Sequence, residues 1–127
     1  MASQAFAIKG LKLGLEEKPG ETVVHCIGKI TSDTAEFFQN QVRDNVMPIS
    51  RGKGIDVISR VVLDLSQVSF VDSVGLGALL AVWTTGQRRS IDVELVNLNP
   101  RVGELVSVTK LDQVFNKMKN LFGRSGS

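Results

Sequence analysis

The clearest indication of fold in this chain comes from residues 70–77, Phe70-Val71-Asp72-Ser73-Val74-Gly75-Leu76-Gly77. A strand-forming run over residues 61–71 precedes Asp72, and the apolar residues that follow change to helical spacing. The Ser73 hydroxyl is therefore predicted to lie at a strand-to-helix junction, on the first turn of the helix. Free backbone N–H groups and partial positive charge at that end of a helix can accommodate an anion such as a phosphate.

Two glycines, Gly75 and Gly77, lie in this first helical turn, where each costs about 1 kcal/mol relative to alanine. Their presence suggests that some group approaches the backbone closely. Another interpretation is that Asp72 or Ser73 is simply an N-cap, which is the usual role of such residues before an apolar helix. Capping alone would not explain two glycines directly after the cap.

Patterns on the N-terminal side predict a β-hairpin. Leucines at alternate positions over residues 11–15 predict a half-buried strand, and residues 22–30 predict a second one. Between them, Lys18-Pro19-Gly20-Glu21 has the residues of a tight turn, because proline fixes φ and glycine permits a positive φ.

A helix over residues 34–46 is predicted next. Asp33 and Glu36 have the spacing of a capping box, with Asp33 as N-cap. Pro48 should end this helix, and the polar, glycine-containing residues 48–59 should form a surface loop. The apolar face of the helix should consist of Ala35, Phe38, Val42 and Val46.

The C-terminal half predicts two further βα pairs. A continuous apolar run over 60–66 predicts a central strand, and the helix after it should span 74–87. Residues 91–98, where apolar and acidic residues alternate, predict another strand. Asn99-Pro100 then provides an N-cap followed by proline, so we expect a helix over 100–108.

These elements predict a single α/β domain in which a mixed β-sheet of four to five strands is flanked by three to four helices. Val114-Phe115 is a candidate for a short final strand. We expect the domain to span residues 1–122 and the tail, residues 123–127, to be disordered.

Composition excludes several classes of function. The net charge of +2 is too small to indicate nucleic-acid binding, and no basic cluster is interleaved with aromatic residues. No window approaches the ~20 apolar residues of a membrane span, and no signal peptide is recognised, so we expect a cytoplasmic protein. His25 and Cys26 are the only residues of their kinds and have no partner at ligand spacing. We therefore expect no metal or cofactor, and Cys26 to be a buried structural thiol.

The motif Asp72-Ser73-Val74-Gly75-Leu76-Gly77, preceded by a hydrophobic strand and Ser69-Phe70-Val71, resembles the signature of STAS domains. Within that family it is most similar to the bacterial anti-sigma factor antagonists, and the order of elements resembles them over roughly residues 8–118. The resemblance implies that Ser73 is phosphorylated by a partner serine kinase that also acts as an anti-sigma factor. It implies transcription regulation by partner switching, in which the unphosphorylated protein binds the kinase and a protein phosphatase resets the serine. It implies a phosphoprotein that is not an enzyme.

The surface that faces the kinase should combine two loops, since both open helices and follow strands expected to end at the same edge of the sheet. Leu76 is assigned to the core because it belongs to the apolar stripe, whereas Val74 could be an exposed contact or part of the packing. The candidate phosphorylation site is Ser73. The candidate partner-binding residues are Thr31, Ser32, Asp33, Asp72, Ser73, Val74, Gly75, Leu76 and Gly77.

An alternative function is a STAS assembly subunit that does not switch, such as a lipid-transport accessory or stress-complex protein. In that case Ser73 would be only a helix cap. Hydrolysis by a serine nucleophile is disfavoured, because Val71 stands where the Gly-x-Ser-x-Gly elbow requires its first glycine.

Overall fold

A computed structural model describes residues 4–47 and 58–108, and it contains one five-stranded sheet. The strands are β1 (Gln4–Ile8), β2 (Leu11–Lys18), β3 (Glu21–Ile30), β4 (Arg60–Val71) and β5 (Asp92–Val96). Their spatial order is the same as their order along the chain. Both β1–β2 and β2–β3 are antiparallel hairpins, whereas β3, β4 and β5 are parallel to one another. The mixed sheet is therefore as predicted.

Within the described residues, three helices connect or follow these strands. They are α1 (Ala35–Gln41), which continues as a π-helical segment (Val42–Val46), α2 (Ser73–Arg88) and α3 (Pro100–Val108). The hydrophobic core lies between one face of the sheet, α1 and α2, because alternate strand residues bury their side chains on that face. Its largest fully buried side chains include Leu13, Ile30, Phe38, Leu63, Leu79 and Leu95.

Most predicted elements are present with small shifts of their ends. Helix α2 extends one residue beyond the predicted 74–87 at each end, and α3 has the predicted bounds. Asn99 caps α3 as predicted, since its Oδ1 accepts a hydrogen bond of 2.9 Å from the Val102 N–H. The strand predicted over 60–66 continues to Val71, past two irregularities in its pairing with β3.

Strand β1 has no counterpart among the predicted strands. Four of its five residues are exposed, so the alternation that reveals a half-buried strand is weak. The strand predicted at Val114-Phe115 lies outside the described residues, as do Pro48, most of the loop 48–59, the domain boundary at residue 122 and the tail.

The predicted capping box of α1 is wrong. Thr34, not Asp33, occupies the N-cap position, and no side chain caps the helix. The physical reason is that the Thr31 carbonyl accepts the N–H groups of Thr34 (3.0 Å) and Ala35 (2.7 Å). These two backbone bonds form the turn that makes Thr34 the N-cap, and the Asp33 side chain lies one residue too early to cap the helix.

The end of the helix predicted over 34–46 also differs, because its last five residues are π-helical. The Met47 N–H donates to the Val42 carbonyl at 2.9 Å, one residue further back than in an α-helix. The Arg89 guanidinium donates to the Met47 carbonyl and joins this helix end to the end of α2. Arg89 therefore has a structural role.

The sheet face opposite α1 and α2 carries paired charges. Arg60 donates to Glu94 and also pairs with Glu21 at 3.1 Å and with Asp92 at 3.8 Å. These contacts explain why Glu94 is buried although it alternates with the core residues of β5. On the core side, Cys26 is buried as predicted, and burial raises the pKa of its thiol.

Candidate functional site

The two candidate loops lie side by side at the carboxyl ends of β3 and β4. These strands are parallel neighbours, with Ile30 opposite Val71, so the loops that follow them leave the same edge of the sheet. The Ser32 N–H donates to Asp72 Oδ2 at 3.1 Å, and the Asp72 N–H donates to the Ile30 carbonyl at 3.3 Å. The prediction that the two loops meet at one edge is confirmed.

Asp72 is the residue that caps α2. Its backbone is extended, its Oδ1 accepts from the Gly75 N–H at 2.8 Å, and its carbonyl accepts from the Leu76 N–H at 2.8 Å. Because Oδ2 accepts from Ser32, both carboxylate oxygens of Asp72 are bonded to backbone donors of the chain itself. Of the two capping candidates in the sequence, the structure selects Asp72.

Ser73 is the first residue of α2, and it is exposed. Within residues 4–47 and 58–108, its hydroxyl makes no hydrogen bond that would stabilise the helix end. Val74, the next residue, is 50% exposed, which decides the open question about its environment in favour of the surface. Leu76 is buried in the core, as predicted.

The two glycines of the motif differ sharply in their surroundings. A Cβ atom added at Gly75 would lie 1.8 Å from the Ile30 carbonyl oxygen and 2.5 Å from its carbon. At Gly77, which is exposed, an added Cβ would meet nothing within 4 Å. The close approach that the glycines suggest is thus real at Gly75, where the approaching group is the chain's own strand end, and absent at Gly77.

The loop after β3 is held by Thr34, a residue that the sequence patterns do not single out. Its buried hydroxyl accepts from the Thr31 N–H at 2.9 Å and donates to the Lys29 carbonyl at 2.8 Å. Ser32 and Asp33 are exposed between these anchor points, and Thr31 is half-buried. Two threonines flanking Ser-Asp are a recognisable signal for such a turn, because hydroxyls and carboxylates bond to nearby backbone.

The turn between β1 and β2 borders the same loop. Gly10 has a positive φ of 94°, which favours glycine, and its carbonyl accepts from the Lys29 N–H at 2.9 Å. A Cβ at Gly10 would lie 3.6 Å from the Thr34 methyl group. The candidate site is therefore bordered by the ends of β3 and β4 and by the turn between β1 and β2.

A second polar cluster lies on the opposite face of the sheet. His25 Nδ1 is 2.9 Å from Asp64 Oδ2, and His25 Nε2 is 2.9 Å from Glu16 Oε1. The hydrogen bond with Glu16 is the main reason that the pKa of His25 is raised. Burial would raise the pKa of Asp64, but hydrogen bonds from Ser66, Asn97 and His25 outweigh it and lower that pKa.

The described part of the chain has neither a cluster of metal ligands nor a helix suited to a bilayer. Within it, no three His, Cys, Asp or Glu side chains are grouped so that they could hold a metal ion. Nor does any of its helices combine the length and apolar character that crossing a bilayer requires.

Comparison with known proteins places this architecture. Residues 12–124 match the family model of the STAS domain. An anti-sigma factor antagonist from Mycobacterium paratuberculosis is similar over 90% of this chain and 83% of its own, with 24% identity and a TM-score of 0.65. The anti-sigma factor antagonist SpoIIAA in its unphosphorylated form is similar over 85% of this chain and 86% of its own, with 16% identity and a TM-score of 0.65.

Two further structures extend the comparison. The phosphorylated form of SpoIIAA from Bacillus matches 80% of this chain and 86% of its own, with 16% identity and a TM-score of 0.58. The mouse anion transporter Slc26a9 matches 77% of this chain, with 24% identity and a TM-score of 0.63, but this chain spans only 15% of the transporter. At these identities the structures show a shared fold, while the family model covers most of the sequence. This chain belongs to the STAS domain family.

Proposed function

We propose that this chain is a phosphorylatable regulatory protein of the anti-sigma factor antagonist type. In this proposal the unphosphorylated protein binds a serine kinase that also acts as an anti-sigma factor. Phosphorylation of Ser73 releases the kinase, and a protein phosphatase restores the binding form. The chain is the substrate and the switch, and it does not catalyse either reaction.

The observation that carries the proposal is the division of roles between Asp72 and Ser73. The carboxylate of Asp72 caps α2, so the hydroxyl of Ser73 is exposed and has no capping role. A serine used only as a cap would accept a hydrogen bond from the first turn of the helix. Asp72 makes that bond here, which leaves Ser73 accessible to a kinase at no cost to the helix.

The end of α2 can hold a phosphate on Ser73, because free backbone donors and the helix dipole oppose the repulsion from the neighbouring Asp72 carboxylate. Phosphorylation adds roughly −1.5 to −2 charge and three acceptor oxygens. Of the first-turn N–H groups, Gly75 and Leu76 already donate to Asp72, whereas no such bond occupies those of Ser73 and Val74 within the described residues. The positive end of the helix dipole also faces the modification, so the domain should remain folded after phosphorylation.

The main effect of the phosphate should therefore fall on the partner. Exposed Val74 offers an apolar contact directly beside Ser73, and exposed Ser32 and Asp33 lie across the Asp72 bond. A doubly charged phosphate among these contacts would have to lose its hydration when the partner binds, which lowers the free energy gained on binding. A loss of about 2–4 kcal/mol corresponds to roughly thirty- to a thousandfold in affinity, which is enough for a switch without refolding.

The proposal is tested by incubating the protein with candidate serine kinases from the same organism and Mg-ATP, followed by phosphopeptide mapping. The matched pair of variants is Ser73→Ala and Ser32→Ala, because both serines are exposed and lie on the same surface. We expect Ser32→Ala to be phosphorylated like the natural protein. We expect Ser73→Ala to resist phosphorylation and still bind the kinase, and Ser73→Glu to bind it weakly.

The contradicting result is equally clear. If the natural protein is not phosphorylated by any of these kinases, and the alanine and glutamate variants bind as it does, Ser73 is not a switch. Phosphorylation that persists in Ser73→Ala and disappears in Ser32→Ala would place the modification on the other loop.

A second candidate function is a STAS domain that serves a larger assembly without switching. The similarity to the mouse anion transporter Slc26a9 favours it, because that transporter contains the fold as a small part of a long chain. In this case the kinase assay would be negative, and the surface around Val74 would be a permanent contact.

A further inference from the structure

Strand β1 (Gln4–Ile8) is an edge strand of the described sheet. It stands at the end of the sheet order and pairs only with β2 among the described residues. Gln4, Ala5, Ala7 and Ile8 are exposed, and Ile8 retains 43% of its surface. One row of its backbone N–H and C=O groups is therefore directed away from the sheet.

The two edges of this sheet differ in how they are protected. At the opposite edge, β5 carries Asp92 and Glu94 at alternate positions, and charges of this kind discourage pairing with another chain. The sequence Gln-Ala-Phe-Ala-Ile of β1 has no charge and no proline. It thus lacks the residues that usually keep an edge strand from pairing.

The sequence of β1 is also suited to pairing with itself. In an antiparallel pair centred on Phe6, Ala5 lies opposite Ala7 of the partner subunit, and Gln4 lies opposite Ile8 of the partner subunit. No charged residue faces another within the strand. Lys9 of each subunit would face residue 3, so the two lysines would be about 20 Å apart along the strands.

We propose that β1 pairs antiparallel with β1 of a second copy, which joins two sheets into one of ten strands. Each strand is only five residues long, about 17 Å, so the interface is small and the homodimer should be weak and reversible. The Ser73 site follows β4, three strands away from the interface. The dimer proposal rests on β1 and does not depend on the proposed function of Ser73.

The charge-swap experiment uses Ala5 and Ala7, whose side chains are exposed and lie on the face opposite Phe6. In A5K/A7K each lysine faces a lysine of the second copy, whereas in A5K/A7E each lysine faces a glutamate. Sedimentation velocity over a concentration series, up to about 1 mM, measures the dissociation constants. Circular dichroism checks that each variant remains folded.

We expect the natural protein to self-associate and A5K/A7E to retain this association. A5K/A7K should associate at least about tenfold more weakly than A5K/A7E, because two like-charge pairs replace two opposite ones. Mixing A5K/A7K with A5E/A7E should restore dimers that neither forms alone. A natural protein that stays monomeric over the whole series, or double variants that associate equally, would overturn the proposal.

Discussion

At the scale of single residues, Gly75 and Gly77 belong to one motif but differ in whether the packing around them requires glycine. Gly75 is required because the Ile30 carbonyl occupies the space that a side chain would need. Gly77 faces open space and has no comparable steric reason. A surface glycine without a packing role is compatible with a need for access by a partner, which fits its proposed place in the partner-binding surface.

This difference predicts opposite effects of the same substitution. Gly77→Ala should raise the free energy of unfolding by about 0.5–1 kcal/mol, because alanine favours the helix and the site has room. Gly75→Ala should lower it by roughly 1–3 kcal/mol or more, since backbone atoms of Ile30 must move. Chemical denaturation of both variants measures the two changes, and a stabilised Gly75→Ala would contradict the packing seen here.

At the scale of elements, Asp72 joins three parts of the fold. It directly follows β4, caps α2 and accepts a hydrogen bond from the loop that follows β3. Asp33, the residue whose spacing suggests a cap for α1, has no capping role. Two aspartates that look alike in the sequence therefore differ in how much they contribute to the stability of the fold.

The different roles of Asp72 and Asp33 predict that alanine substitutions at these two positions change the free energy of unfolding by different amounts. Asp72→Ala should lower the free energy of unfolding by about 1–2 kcal/mol, because it leaves the N–H groups of Gly75 and Ser32 without their acceptor. Asp33→Ala should change it by less than about 0.5 kcal/mol, since the side chain is exposed and caps nothing. Urea unfolding curves of the two variants provide the measurement, and equal losses would argue against the assignment of the cap.

At the scale of the whole molecule, one histidine connects three strands. Glu16 on β2, His25 on β3 and Asp64 on β4 form a continuous hydrogen-bonded row across the sheet. With both ring nitrogens facing carboxylates, the protonated imidazole is favoured, and the pKa of His25 is raised. The pKa of Glu16 is lowered, first by its hydrogen bond with His25 and then by Lys18.

This cluster predicts how stability should depend on pH. Because the pKa of His25 is higher in the folded state, its contribution is full below the unfolded value of about 6.5 and is lost as pH rises through the folded value. The carboxylates act in the other direction, so their contribution is lost as pH falls through their lowered pKa values. The side chain of His25 is 39% exposed, so the change should be modest and weaker at high salt.

The measurement is the free energy of unfolding between about pH 6 and pH 9, compared with that of His25→Gln. The natural protein should lose stability relative to the variant as pH rises, because His25 is the only histidine of the chain. Burial also raises the pKa of Cys26, so the unfolded thiol ionises first and both proteins lose stability towards pH 9; the comparison with the variant cancels this loss. If the two stability curves run parallel over this pH range, Glu16 and Asp64 do not stabilise the protonated form of His25.

The sequence by itself determined the class of the fold, the place of Ser73 and most of the helices and strands. This was possible because the signals involved are local: apolar periodicity, a turn at Pro19-Gly20 and a cap at Asn99-Pro100. The same local reasoning assigned Leu76 to the core and placed Ser73 on the first turn of α2.

Only the tertiary structure decided the features that depend on residues distant in sequence. The choice of Asp72 over Ser73 as cap, the obligatory Gly75 and the bond between the two loops all involve the end of β3, some forty residues earlier in the chain. Strand β1 is specified mainly by pairing with β2, since its own pattern is weak. Local patterns cannot report such contacts, because the free energy of each comes from a partner that only the folded chain brings near.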